Sequence, residues 1–285
     1  MNENRNLKKG VGIHARRLIA YIVLIIVSIL CLFWFYVLFI NATRSNGELQ
    51  SGFTLVPSSH LWENWKNLRN GTLPVWNGMF NSLIVSSLSA VLSVYFSTMT
   101  AYAIHAYDFK LKKYIYPFIL MIMMIPTQVT ALGFIKLVSN MKLEDSFIPL
   151  IVPTIAAPVT FFYMKQYMES TLSLEMIEAA RIDGCGEIGI FLKVVLPSQK
   201  PAIGALGIYM FMSMWNNFMW PLIILSTKSM YNFPVALAML DGVAWRKDYG
   251  VVMLATVCAV LPIMIIFLIF QKQFVAGVMG GAVKE

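Results

Sequence analysis

Apolar residues run along this chain in long uninterrupted segments. A helix needs about 20 apolar residues to cross the hydrocarbon of a bilayer. Segments of about this length, free of Asp, Glu, Lys and Arg, recur six times. The pattern predicts an all-α polytopic membrane protein with six transmembrane helices. The predicted spans are Leu18–Ile40, Met79–Ala103, Ile115–Ile135, Ile148–Met164, Ile203–Leu225 and Tyr249–Phe270.

Prolines occur in four of these spans. Pro has no backbone N–H and clashes with the preceding turn, so it kinks or opens a helix. Pro126 in the third span and Pro262 in the sixth are expected to act in this way. The fourth span is the shortest and contains Pro149, Pro153 and Pro158, which make its limits hard to place.

The composition agrees with a membrane protein. Apolar residues make up 58% of the chain and charged residues only 13%, about half of the ~25% that is usual in soluble domains. A basic segment precedes the first span, as in a signal peptide. That span is longer than the ~7–15 residues of a signal-peptide core, and no small-residue cleavage site follows it. We therefore interpret it as a retained signal anchor.

The net charge of +8 reflects basic residues next to the apolar segments. If the N-terminus is cytoplasmic, 14 of the 22 Lys and Arg fall on the inside and 8 on the outside. This bias predicts that both termini are cytoplasmic. No basic soluble domain with interleaved aromatic residues is present, so the expected surroundings are membrane lipid and no nucleic acid.

Four regions follow from this topology. Residues 1–17 are a cytoplasmic N-terminal segment, and 18–78 hold the first transmembrane helix with an extracytoplasmic loop. Residues 79–272 form the transmembrane core, and 273–285 are a cytoplasmic C-terminal tail. Trp62, Trp65 and Trp76 in the first outside loop suit an interfacial or docked segment.

Signatures of catalysis and metal binding are absent from the sequence. The cysteines have no paired spacing and the histidines are scattered, so neither a disulfide framework nor a metal site is expected. The G-x4-GK spacing of a phosphate-binding loop fails at the glycine-rich tail. We expect no enzyme activity and no cofactor in this chain. The spans also lack the ionisable relays usual in proton- or sodium-coupled carriers, which argues against a secondary transporter.

The longest inside loop, Lys165–Ala202, has a pattern of its own. Ser173 is a good N-cap for a helix, Gly184 permits the left-handed turn that ends it, and Pro197 stops a second short helix. The sequence therefore predicts a helix–turn–helix that projects into the cytoplasm. Its small residues allow another surface to approach the backbone closely.

The polar face of this element favours a protein partner. An amphipathic helix lying on the membrane is the alternative, but Glu175, Glu178, Asp183 and Glu187 would be repelled by an anionic inner leaflet. A docking role is the better interpretation of the residues.

The string Glu178-Ala179-Ala180-Arg181-Ile182-Asp183-Gly184, followed by Pro197 and Pro201, resembles the EAA motif of type I ABC importer permeases. Further matches indicate the sugar-importing branch and its maltose-type second permease subunit. They are Asn81-Ser82, the string Trp215-Asn216-Asn217-Phe218-Met219-Trp220-Pro221-Leu222, and the tail with Phe270-Gln271-Lys272-Gln273-Phe274, Gly277 and Gly280-Gly281-Ala282-Val283-Lys284.

This resemblance implies that the EAA loop, residues 170–201, supplies a coupling helix that docks on an ATP-binding subunit. The implied partners are a homologous permease subunit, two nucleotide-binding ATPase subunits that hold ATP and Mg, and an extracytoplasmic sugar-binding protein. The implied coupling residues are Glu178, Ala179, Ala180, Arg181, Asp183 and Gly184.

A sugar pathway needs uncharged hydrogen-bonding groups and aromatic faces. Near the prolines of the third and fifth spans the candidates are Thr127, Gln128, Trp215, Asn216, Asn217 and Trp220. Each could instead bond a neighbouring helix or lie in the interfacial belt. The sequence thus predicts a permease subunit of a sugar importer. The alternatives are a permease of the same type for peptides or another small solute, and a membrane sensor or scaffold that does not transport.

Overall fold

The structure is a computed structural model that describes residues 3–71, 74–241 and 248–280. No strand occurs in these ranges, which confirms the all-α class. Residues Gly281–Lys284 of the tail that carries part of the resemblance lie outside them. The helices are α1 (Glu3–Ala42), α2 (Asn46–Gln50), α3 (Leu61–Asn70), α4 (Val75–Ala106), α5 (Lys112–Met123), α6 (Thr127–Asn140), α7 (Ile148–Ile151), α8 (Pro158–Thr171), α9 (Leu174–Ile182), α10 (Glu187–Ile190), α11 (Leu196–Ser198), α12 (Lys200–Trp215), α13 (Met219–Ile224), α14 (Phe233–Asp241) and α15 (Tyr249–Gly280).

The chain divides into two compact units. One comprises Met1–Asn70 with Ala244–Cys258, and the other comprises Gly71–Val243 with Ala259–Glu285. Helix α15 therefore contributes its first turns to one unit and the rest to the other.

In the first unit, α1 is apolar on every side from Leu18 to Ile40. Its membrane-capable part, His14–Ala42, has no buried residues in its most apolar stretch. A helix that is hydrophobic all round and exposed all round requires lipid or another protein around it. This agrees with a transmembrane segment.

The loop after α1 is held by hydrogen bonds to its own backbone. Ser45 and Glu48 form a capping box at the start of α2, which satisfies two otherwise free backbone N–H groups. The buried Arg44 side chain donates to the backbone carbonyls of Glu48 and Gly52. Asn64 of α3 is also buried and donates to the carbonyl of Arg44 at 2.9 Å. This loop is therefore folded.

Helix α4 is the centre of the second unit. It packs against α8, α12 and α14, and it carries a row of buried serines, of which Ser93 bonds Thr160 of α8 and Ser82 accepts from the N–H of Phe233 in α14. Small side chains allow helix backbones to approach closely inside a membrane. The serines of this row are each no more than 2% exposed, and they are Ser82, Ser86, Ser89, Ser93 and Ser97.

The third predicted span is sharply bent. Helices α5 and α6 meet at 100° across a short break. Pro126 ends that break as the N-cap of α6, with φ −60° and ψ 130°. The expectation that Pro126 interrupts this span is confirmed, because Pro cannot donate the helical hydrogen bond there.

The fourth and sixth spans differ in how they accommodate proline. The fourth runs from Ile148 to Thr171 as α7, a 3₁₀ segment Val152–Ala156, and α8. Each of these pieces has one proline, at its first or second residue, where a missing N–H is tolerated. Helix α15 instead continues through Pro262.

The predicted count of six transmembrane helices is not confirmed. Among the described residues, four helices are long and apolar enough to cross a membrane, or five if the bent α5–α6 pair is one span. The difference lies in the predicted span Ile203–Leu225. There α12 ends at Trp215 after 16 residues, and α13 starts only at Met219 and has 6 residues.

Candidate functional site: the loop between α8 and α12

Helix α9 of this loop is anchored in the core of the second unit. Ile177 is 1% exposed and Ala180 is 9% exposed. Both belong to one hydrophobic cluster with residues at the ends of α4, α8 and α12, which include Tyr102, Met168 and Ala202. Because packed interiors deform little, a displacement of α9 would be passed to these three helices.

The turn after α9 is a Schellman motif. Gly184 has φ +80°, a left-handed conformation that favours glycine. Its N–H donates to the carbonyl of Arg181, and the N–H of Cys185 donates to that of Ala180, each at 3.0 Å. This is the hydrogen-bond pattern that ends a helix at a left-handed residue. The glycine turn was predicted from the sequence at this position.

A π-helical turn, Phe191–Val195, follows α10. Pro197 has no N–H with which to bond the carbonyl four residues earlier, but the helix continues through it as α11 to Ser198, so the expectation that Pro197 stops this helix is wrong. The N–H of Leu196 reaches the carbonyl of Phe191. Phe191 and Val195 are buried in the same core cluster as α9. The second helix of the loop is thereby tied to the same helix ends as the first.

An ion pair joins the two short helices of the loop. Arg181 of α9 donates to both carboxylate oxygens of Glu187 in α10, from Nε at 2.8 Å and from Nη2 at 3.2 Å. The hydroxyl group of Tyr107, just after α4, also donates to this carboxylate. The Arg181 guanidinium and the Tyr107 hydroxyl hold the pKa of Glu187 below its usual value. We call this group, Arg181 with Glu187 and Tyr107, the carboxylate clamp.

The sequence indicated Glu187 only as one acidic residue among several. Its partner Tyr107 lies 80 residues earlier, and no local spacing could reveal that contact. The helical register also does not show that Arg181 would turn toward α10, because the intervening Gly184 turn sets the direction.

The remaining predicted coupling residues lie on the outer face of the loop. Glu178, Ala179 and Asp183 are exposed, as is Gly184. Ala179 therefore faces outward while its neighbour Ala180 is buried. Two large apolar side chains share the outer surface, Ile182 at 86% and Ile188 at 78% exposure. We call this exposed set the loop face.

The predicted pathway residues of the third span lie at its bend. Thr127 and Gln128 are the first residues of α6 and are exposed. Trp220 of α13 is half-buried and meets Phe134 of α6 edge to face, with ring centroids 5.0 Å apart. The bend of the third span and the break in the fifth are thus connected by an aromatic contact.

The other pathway candidates surround the break after α12. Trp215 is 1% exposed, and its indole N–H donates to the carbonyl of Ala259 at 3.1 Å. Asn216 is exposed and bonds the carbonyl of Met212 in its own helix. The backbone carbonyl of Asn217 accepts from the Asn232 side chain at 2.6 Å. In this conformation Trp215 packs in the core, whereas Asn216 is open to the surroundings.

The segment after α13 is fastened on two sides. Asp145 accepts a hydrogen bond from the Thr227 hydroxyl group and backbone N–H bonds from Thr227 at 3.0 Å and Ser226 at 2.9 Å. The Thr227 hydroxyl bond first, and then the two backbone bonds, keep the pKa of the Asp145 carboxyl group below its usual value. Asn81 of α4 donates to the carbonyls of Ser229 and Tyr231. Asn81 belongs to the resemblance, and the structure gives it this role in holding the segment.

Known proteins are similar in sequence to most of this chain. Residues 93–280 match the family described as binding-protein-dependent transport system inner membrane component. The arabinooligosaccharides transport system permease protein AraQ of Bacillus subtilis (strain 168) is 37% identical over 260 residues, which cover 90% of this chain and 92% of that protein. The sn-glycerol-3-phosphate transport system permease protein UgpE of Yersinia pestis is 31% identical over 264 residues, 90% of this chain and 94% of that protein.

Solved structures show the same fold. A chain from a crystal structure of a bacterial ABC transporter involved in the import of the acidic polysaccharide alginate aligns with a TM-score of 0.79. The identity is 20%, over 90% of this chain and 95% of that one. A second chain, from the alginate transporter in complex with its pentasaccharide-bound periplasmic protein, aligns with a TM-score of 0.57 at 14% identity, over 90% of this chain and 92% of the other.

Proposed function

Because the chain belongs to the family of binding-protein-dependent transport system inner membrane components, we propose that it is the permease subunit of an ATP-driven importer for a sugar or oligosaccharide. The relative with 37% identity is a permease protein of an arabinooligosaccharide transport system. The two proteins cover each other almost entirely, which supports an equivalent place in a transport system.

The observation that carries the proposal is the construction of the loop between α8 and α12. The loop face is exposed, while Ile177 and Ala180 on the opposite side are buried against the ends of α4, α8 and α12. A loop that is exposed on one side and packed against helix ends on the other is suited to transmit the motion of a docked partner to those helices. We assign the loop face as the docking surface for a separate ATPase subunit, which hydrolyses ATP with Mg.

The chemistry of the loop face fits a protein cleft. Ile182 and Ile188 supply apolar contact area, and Glu178 and Asp183 add negative charge beside them. Burying the two isoleucines would stabilise a docked state by about 1.5–3 kcal/mol for each side chain. In this arrangement ATP binding closes the partner subunits, and α9 moves with the cleft that holds it.

The proposed importer also contains a second permease subunit and a binding protein, and this chain has a defined orientation in the membrane. A homologous permease subunit encloses the pathway from the opposite side, and an extracytoplasmic binding protein delivers the sugar. Both termini and the loop between α8 and α12 face the cytoplasm, as the distribution of Lys and Arg indicates. Thr127, Gln128, Asn216 and Asn217 offer uncharged hydrogen-bonding groups, which suit a neutral solute.

One alternative has a specific observation in its favour. The relative with 31% identity belongs to a transport system for sn-glycerol-3-phosphate, a small anionic solute. An importer for such a solute would require cationic groups along the pathway, whereas the six apolar segments of the sequence contain neither Lys nor Arg. This difference favours a neutral sugar. A sensor or scaffold that does not transport is the other alternative.

Reconstitution in liposomes with a candidate ATPase subunit and a candidate partner permease tests the proposal. The expected result is uptake of a labelled oligosaccharide that requires ATP and a loaded binding protein. Glu178→Lys on the loop face should reduce ATPase recruitment in co-purification. Glu144→Lys, an equal charge reversal in the loop between α6 and α7, is the matched control and should leave recruitment unchanged.

The absence of uptake with any saccharide, together with uptake of glycerol phosphate, would move the substrate to the alternative class. Failure of the wild-type chain to recruit an ATPase would support the sensor or scaffold.

A further inference from the structure

A basic cavity opens near the loop at the ends of α4, α5 and α8. It has a volume of about 300 Å³. Three lysines and a histidine line it together with one carboxylate. The lining includes Lys112, Lys113, Lys165, His105, Glu169 and Tyr116.

Lys165 is a buried residue of the cavity lining. It is 9% exposed, and its ammonium group lies 2.5 Å from a carboxylate oxygen of Glu169 and 4.2 Å from the centre of the Tyr116 ring. A buried ammonium group with a carboxylate and an aromatic face is well stabilised. Lys165 is therefore fixed in position, and the only carboxylate in the lining is already engaged.

The other two lysines have weaker compensation. Lys112 donates to the backbone carbonyl of Tyr107 at 3.0 Å and to Asp108 at 3.2 Å, but Asp108 is fully exposed and screened by water. Lys113 is exposed, and its ammonium group lies 4.9 Å from the centre of the Tyr114 ring. Within the described ranges no carboxylate lies at ion-pair distance from Lys113. The lining thus holds three ammonium groups and one carboxylate. A bound anion would balance the excess positive charge.

The surface beside the cavity is apolar in the direction of the membrane. Tyr114, Phe118 and Met121 are 63%, 56% and 54% exposed, and their spacing places them on one face of α5. A ligand with a charged head at the start of α5 and a hydrocarbon tail along this face would match both surfaces. Basic pockets between transmembrane helices on the cytoplasmic side commonly receive lipid head groups in this way.

We propose that this cavity binds the phosphate group of an anionic phospholipid, such as phosphatidylglycerol. The phosphodiester contacts Lys112 and Lys113 above the Lys165–Glu169 pair, and the acyl chains lie along the exposed face of α5. The site is on the same side of the membrane as the loop between α8 and α12. This inference does not depend on the transported solute.

The test is thermal unfolding of the full-length chain in a nonionic detergent, titrated with phosphatidylglycerol. The expected result is a rise in melting temperature that phosphatidylcholine does not produce. Lys113→Gln should weaken the apparent affinity about fivefold, the contribution of one lysine near an anionic lipid surface. Because Lys113 is exposed, this change should leave the fold intact without lipid.

Lys193→Gln is the matched control, because Lys193 is exposed and does not line the cavity. Equal loss of affinity in both variants would show a general charge effect and overturn the site. Unchanged affinity in Lys113→Gln would overturn it as well. If millimolar inorganic phosphate protects the chain as well as phosphatidylglycerol does, the ligand is a free phosphate and the lipid assignment is wrong.

Discussion

At the residue scale, Glu187 connects parts of the chain that are far apart in sequence. Its carboxylate accepts from Arg181 and from Tyr107, so the carboxylate clamp links α9, α10 and the end of α4. A two-bonded guanidinium–carboxylate pair is stronger and more directional than a single contact. The side chains of Arg181 and Glu187 are 37% and 50% exposed, which screens the pair and leaves a modest contribution.

The pKa of Glu187 gives a pH prediction. Its folded-state pKa lies below the ordinary 4.5, so the clamp contributes stability that is complete above pH 4.5 and is lost as pH falls through the folded value. Glu187→Gln should therefore have a lower melting temperature than wild type at pH 7, and the gap should narrow below pH 4.5. Glu178→Gln is the control on the exposed loop face and should show no such gap. Equal melting temperatures of wild type and Glu187→Gln at pH 7 would contradict the clamp.

Two glycines of α12 provide a comparison of packing. A methyl group on Gly204 would lie 2.6 Å from Cβ of Gln273 in α15, whereas one on Gly207 would have no neighbour within 4 Å. Gly204→Ala should destabilise the chain by about 1–3 kcal/mol relative to Gly207→Ala, because overpacking offsets the gain in helix propensity. Unfolding in detergent measures the difference. Equal stability of the two variants would show that α12 and α15 are not in close contact.

Gly184 and Trp215 differ in how far their structural roles could be predicted from the sequence. The left-handed turn at Gly184 was predictable, because glycine is the residue that most often takes the left-handed position just after a helix. The burial of Trp215 was not, since an aromatic residue in an apolar segment fits a pathway and a core equally well. Only its hydrogen bond to Ala259 and its stacking on Phe211 place it in the core of this conformation.

At the scale of elements, the sequence predicted the bend of the third span, which a proline marks. It did not predict the break in the fifth span. Pro126 signalled the bend between α5 and α6. In Ile203–Leu225 the apolar composition continues through Asn216 and Asn217, so hydropathy could not show that α12 ends there. The break is stabilised by tertiary contacts such as the Asn217–Asn232 hydrogen bond, which no local pattern records.

The loop between α8 and α12 was predicted as a helix–turn–helix, and its internal design required the structure. Ser173 and Gly184 mark the two ends of α9, as expected. The π-helical turn at Phe191–Val195 and the inward side of α9 arise from packing against distant helices. These contacts join the loop to the ends of α4, α8 and α12 in one packed cluster.

At the scale of the whole molecule, the exposed surface is that of a subunit. Helix α1 has no buried residue in its apolar stretch, and the loop face presents Ile182 and Ile188 to the surroundings. Lipid would cover the apolar helix faces inside a membrane, whereas the loop face, on the proposed cytoplasmic side, would lie in water. Exposed apolar side chains rimmed by charge indicate a protein interface.

The sequence determined the membrane class and the family resemblance without the structure, because both depend on long or repeated patterns. The substrate depends on a few side chains, and in the proposed importer a partner subunit would also set their surroundings. Thr127, Gln128 and Asn216 are exposed in this chain and remain proposed pathway residues.

The central claim, that force from an ATPase enters through the turn after α9, is tested most directly by ATP hydrolysis in the reconstituted importer. Gly184→Val and Gly186→Val add the same side chain two residues apart, and neither Cβ would meet an atom within 4 Å. Gly184 has φ +80°, which a β-branched residue strongly disfavours, whereas Gly186 has φ −70° and ψ 159°, which valine adopts readily. We predict that hydrolysis stimulated by the loaded binding protein is lost in Gly184→Val and kept in Gly186→Val, with both inserted normally. Full stimulation in Gly184→Val would contradict the claim.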